Sequence, residues 1–143
     1  MVMKKRLSAS WADKKFLIMF NYIENKLRLN SKKNFSVIFG NSPSKNARSP
    51  KIWNKIYKKI NSKTRMYPFD VSKNNFVSLI DEIIKNNKFI GGSVTEPFKA
   101  DVVKQIRPFD NLVKKIGAAN TIFKHKNNFR TYNTDFLSIV EQL

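Results

Sequence analysis

From residue 34 onward, short β-branched and aromatic runs alternate with segments whose apolar residues recur at helical spacing. That alternation narrows the fold more than any other feature of the chain. Phe35-Ser36-Val37-Ile38-Phe39 ends at Gly40-Asn41-Ser42-Pro43 and reads as a strand entering a loop. Ser49-Pro50 opens a helix with Ile52, Trp53, Ile56, Tyr57 and Ile60 on one face, proline sitting where its fixed φ suits a first turn. Residues 66–71 form a second predicted strand, kept near a sheet edge by Pro68. Residues 74–85 carry Phe76, Leu79, Ile80, Ile83 and Ile84 at helical spacing, and 89–95 form the third predicted strand. Two short helical pieces (99–106 and 108–116), two short strands (118–124 and 129–133) and a helix from Asp135 complete the pattern. The expectation is a three-layer α/β/α domain with a mostly parallel sheet. In such sheets ligands sit beyond the carboxyl ends of the strands, where Ser49, Thr95 and Lys99 fall.

Size and composition agree with this. A chain of 143 residues suffices for one domain with a packed core, and twelve Phe supply bulk for it. It is too short for that domain plus a complete dinucleotide-binding domain. With no cysteine, disulfides and thiolate metal sites are excluded. No run approaches the apolar length of a membrane span, and Asp13, Lys14 and Lys15 interrupt the only signal-like stretch, so a cytoplasmic location is expected.

The formal net charge is +18, from 28 Lys and Arg against 10 Asp and Glu. Such an excess can serve polyanion binding. Here the lysines run along the whole chain beside abundant Asn, Ile and Phe, a set that A/T-rich codons favour, and no nucleic-acid motif accompanies them. A nucleic-acid partner is therefore not expected. Residues 1–33 read as a basic N-terminal extension with helical spacing from a Ser10 cap, leaving 34–143 as the domain proper.

Three short segments carry chemistry-bearing side chains in order: residues 91–99 (GGSVTEPFK), 117–121 (GAANT) and 132–135 (YNTD). A partly desolvated lysine in a loop can take or give a proton, and Pro97 stiffens the turn that aims Lys99. Each residue has an ordinary alternative. Lys99 alone would be a solvated surface residue, Asp135 a helix N-cap, and Asn120 a satisfier of backbone groups in a turn.

Taken together, Gly-x-x-Val-Thr-x-Pro-Phe-Lys, Gly-Ala-x-Asn-Thr and Asn-Thr-Asp resemble the shikimate and quinate dehydrogenase family, over residues 34–143. The resemblance implies catalytic roles for Lys99, as general acid/base on a ring hydroxyl, and for Asp135 beside it. It implies substrate-binding roles for Ser49, Thr95, Asn120 and Ser93, the last standing where the family commonly has Asn. It also implies NADP as cofactor, shikimate or 3-dehydroshikimate as ligand, and a separate NADP-binding domain as partner. Gly40, Gly91, Gly92 and Gly117 form no dinucleotide fingerprint, so this chain is expected to hold only the acid/base half, or to act as a non-catalytic binding module. Ala47 replaces the first serine of the family's Ser-x-Ser-Pro loop, so one substrate-carboxylate contact beside Ser49 is missing unless Arg48 or Ser44 replaces it.

Overall fold

The computed structural model describes residues 11–142. The Ser10 cap lies outside them. Helix α1 (Trp11–Ile18) runs into a 3-10 turn (Met19–Tyr22), then come β1 (Phe35–Gly40), α2 (Pro43–Asn46), α3 (Ser49–Lys59), β2 (Arg65–Asp70) and α4 (Phe76–Ile83). Strand β3 (Phe89–Val94), α5 (Lys99–Gln105), α6 (Asn111–Ile116), β4 (Thr121–His125), β5 (Asn128–Tyr132) and α7 (Thr134–Val140) follow.

The five strands form one sheet in the order β2-β1-β3-β4-β5. β1 pairs in parallel with both β2 and β3, whereas β3–β4 and β4–β5 are antiparallel. The result is an α/β fold with a parallel core and an antiparallel hairpin at one edge. Pro68 sits in β2, the edge strand, where a missing donor breaks no inner ladder.

Alternation along β1 sorts the two faces. Phe35, Val37 and Phe39 enter the main core with Phe76, Leu79 and Ile80 of α4, Val102 of α5, and Phe16 and Met19 from the N-terminal segment. On the other face Ser36 meets α3 through a 3.1 Å hydrogen bond with the Tyr57 hydroxyl. The rest of the apolar face of α3 stays open: Ile52, Trp53, Ile56 and Ile60 are all exposed.

Residues 16–33 are woven into the domain. Glu24 N–H donates to Asp70 O at 2.8 Å. The Asn25 side chain accepts from Asp70 N–H at 2.8 Å and donates to Pro68 O at 3.0 Å, so it closes the open edge of β2.

Two predicted boundaries move. Residues 107–109 are extended rather than helical: Thr131 N–H donates to Arg107 O at 3.1 Å and Phe109 N–H to Thr131 O at 2.9 Å. α6 therefore starts later, capped by Asp110 Oδ1 accepting from Val113 N–H at 2.9 Å. β4 begins at Thr121 rather than at residue 118.

Candidate active site at the carboxyl end of the sheet

Phe98 anchors the site. It is fully buried and stacks on Phe76 with ring centroids 4.2 Å apart and planes within 6°. Burying such a ring contributes roughly 2–3 kcal/mol. The anchored ring fixes the start of α5, whose first residue is Lys99. The preceding turn closes through Phe98 N–H to Thr95 O at 3.0 Å and contains a cis Glu96–Pro97 bond.

The second motif is tied to the first by backbone. Ala119 N–H donates to Lys99 O at 2.8 Å, Val94 N–H to Asn120 O at 2.8 Å, and Asn120 N–H to Tyr132 O at 3.1 Å. Asn120 thus bridges β3 and β5. The third motif supplies α7, and its N-cap is Asn133, not Asp135. Asn133 Oδ1 accepts from Phe136 N–H at 3.2 Å while its amide donates to Ala118 O at 2.9 Å. The sequence pattern missed this because Asn, Thr and Asp stand in a row and each can cap a helix. Asn133 taking the cap leaves the Asp135 carboxylate free to face the cluster. Replacing Asn133 with Ala is expected to lower stability by about 1 kcal/mol, as lost caps do. Denaturant unfolding checks this through a midpoint shift at constant slope.

Asp135 holds the cluster together. Lys99 Nζ donates to Asp135 Oδ2 at 2.8 Å, and Asn120 Nδ2 donates to Asp135 Oδ1 at 3.0 Å and to Thr134 Oγ1 at 2.7 Å. The orientation of the Asn120 amide is set by its other end. Its Oδ1 accepts from Thr134 N–H at 3.0 Å and from the Thr121 hydroxyl at 2.9 Å, which turns Nδ2 toward the carboxylate. The Lys99 and Asp135 side chains are 26% and 55% exposed, so as a surface ion pair they add well under about 1 kcal/mol to stability. Fold stability does not account for this arrangement.

Thr95 Oγ1 donates to Phe39 O at 3.0 Å, so toward a ligand it presents lone pairs. Ser93 lies opposite Thr121 in the ladder and lines a cavity of about 430 Å³ with Trp53, Tyr57 and Thr134. Ser49 is the first residue of α3. Among the described residues, no hydrogen bond joins it to Lys99, Asn120 or Asp135. Ser44 is committed elsewhere: its hydroxyl donates to Asp70 Oδ2 and its N–H to Asp70 Oδ1 at 2.8 Å. Thr121 and Thr134 lie within two of the sequence motifs, where neither had an assigned role, and both join the cluster.

A family model described as the shikimate dehydrogenase substrate binding domain matches residues 38–122. The chain belongs to that family. It is 41% identical over 88 residues to a shikimate dehydrogenase (NADP(+)) of Clostridium beijerinckii, covering 62% of this chain and 32% of the relative. To a shikimate dehydrogenase (NADP(+)) of Sulfolobus acidocaldarius it is 34% identical over 110 residues, 77% of this chain and 39% of the relative. The crystal structure of shikimate dehydrogenase 1 from Peptoclostridium difficile superposes with a TM-score of 0.66 at 29% identity, over 75% of this chain and 40% of that one. The chain therefore spans about a third to two fifths of the length of the curated relatives it matches.

Three of the four glycines are engaged in the fold in ways that a phosphate-cradling turn does not use. Gly91 and Gly92 lie inside β3 against backbone of β4 and β1, and Gly117 is the left-handed C-cap of α6, so none forms a phosphate-cradling turn at a helix N-terminus. No group of residues that could hold a metal ion occurs among those described, and no helix there is long and apolar enough to cross a membrane.

Proposed function

We propose that this domain binds shikimate or 3-dehydroshikimate and supplies the acid/base half of their NADP-dependent interconversion. The observation that carries the reading is the Lys99–Asp135–Asn120 cluster at the carboxyl ends of the strands.

Oxidising a secondary alcohol requires the hydroxyl proton to leave as the hydride departs. This domain's residues handle the proton. Lys99 Nζ, held by the Asp135 carboxylate, is within reach of a hydroxyl that inserts between the two. Asp135 keeps the ammonium oriented when the lysine is charged, and the lysine returns a proton in the reducing direction. Asn120 offers its Nδ2 to a neighbouring ring hydroxyl, and Thr95 accepts from another. Polar groups placed this way discriminate, because a ligand lacking a hydroxyl leaves one of them unpaired. With Ser44 bonded to Asp70, the substrate carboxylate falls to Ser49 at the start of α3 and to the exposed Arg48 beside it. The hydride partner, NADP in the names of the curated relatives, belongs to protein outside these residues.

Asn120→Ala is expected to weaken shikimate binding roughly tenfold, the cost of one unmade hydrogen bond to a polar ligand. Isothermal titration of the variant against the native domain measures it. Unchanged affinity would remove Asn120 from the ligand site.

A further inference from the structure

We propose a second binding site, a groove for single-stranded nucleic acid at the amino end of the sheet and along the β5 edge. It is independent of the Lys99 cluster. It answers to charges that are scattered in the sequence and gathered by the fold.

Four acids stand at the opposite end of the sheet, while Asp81, Glu82 and Asp110 lie at the amino end. Asp70 closes β2, Glu96 follows β3, and Asp101 and Asp135 sit in the first turns of α5 and α7.

Three grooves flank the amino end. One of about 630 Å³ is lined by Arg107, Lys114, Lys126 and Arg130. A second, of about 310 Å³, shares Arg107, Asn128 and Arg130 with it and adds Lys85 and Lys124, so the two are continuous. The third, about 810 Å³, lies under the starts of β1 and β2 and includes Arg28, Lys58 and Arg65. Asp110 is the only acidic residue lining any of them, and its carboxylate is spent capping α6. Asp81 and Glu82, at the end of α4, line none of the three, and Glu82 is paired with Lys85 at 3.0 Å.

The first groove also holds an aromatic platform. Phe109 is 46% exposed, yet its ring is held by edge contacts with Phe123 at 5.3 Å, His125 at 5.2 Å and Tyr132 at 6.1 Å. A fixed, half-exposed ring among cations suits a nucleobase whose phosphates lie along flanking lysines and arginines. The Asn111 and Asn128 side chains add donors and acceptors for base edges. The concave shape favours a flexible strand over a flat membrane surface.

Fluorescence anisotropy of a labelled twelve-nucleotide oligo(U) with the 143-residue chain tests this. Affinity is expected to fall with salt at a log–log slope of about −2 to −3, for three or four phosphate contacts. Phe109→Ala should weaken binding about tenfold with an unchanged slope, while Arg107→Glu with Arg130→Glu should flatten the slope. Lys99→Ala should bind like the native chain, and circular dichroism confirms that each variant is folded. Native-like binding by folded Phe109→Ala would overturn the proposal. So would vesicles of phosphatidylserine competing through the same residues more strongly than RNA, or loss of RNA binding on adding shikimate.

Discussion

Lys99→Ala, in this domain joined to an NADP-binding domain, is expected to lower turnover of shikimate by about 10²–10⁴-fold, the usual contribution of a positioned acid/base group. The same change should leave folding intact. Lys99 is one partner of a half-open ion pair, and removing a surface pair costs well under about 1 kcal/mol. Phe98 rather than Lys99 anchors the start of α5, so the helix keeps its position in the variant. Absorbance of NADPH gives the rate and circular dichroism the fold. A folded variant with native turnover would remove Lys99 from the chemistry. Asp135→Asn should fall between native and Lys99→Ala, because the amide keeps the hydrogen bond to Asn120 but gives up the charge that orients the ammonium.

Gly92→Ala is expected to destabilise the domain by about 3 kcal/mol or more, the range reserved for changes no neighbour can accommodate. A Cβ at this position would collide with the backbone of Val37, and the nearest three atoms are all main chain. Backbone held in a parallel ladder cannot swing aside as a side chain does. Separating β3 from β1 would open the core over Val37 and Phe39, both fully buried. Its neighbour Gly91 has a different need, a φ of +126° with Ile122 O of β4 in the place of a side chain. Denaturant unfolding gives the test, and a midpoint within experimental error of native would contradict the packing described for β3.

Hydrophobic periodicity revealed most of the architecture because β1 is buried throughout and α4 buries one face, Phe76, Leu79, Ile80 and Ile83, at helical spacing. Pro68 marked an edge strand for the reason that makes it one. Elsewhere local pattern and tertiary role diverged. Residues 107–109 pair with Thr131, a contact between segments some twenty residues apart that leaves no local signature. Trp53, Ile56 and Ile60 keep helical spacing on α3 although they are exposed, so spacing located the helix without saying what covers it.

The site was legible as a set of motifs and less so as a geometry. Lys99, Asn120 and Asp135 meet as a cluster, while Ser49 is placed near the strand ends without a bond to it. Thr121 and Thr134 stood in the motifs without a role because a threonine next to a strand or helix start is ordinary until its hydroxyl is seen meeting the Asn120 amide. The charge distribution was hidden for a related reason. Lysines evenly spaced in sequence do not show that Arg107, Lys114, Lys126 and Arg130 line one groove.

The measurement that bears most directly on the central claim is a titration of shikimate into the domain followed by amide NMR. Shifts are predicted at Ser49, Ser93, Thr95, Lys99, Asn120 and Asp135, saturating together with one affinity. A well-dispersed spectrum that does not respond, or responds only at the amino end of the sheet, would contradict the assignment of this cluster as the substrate site.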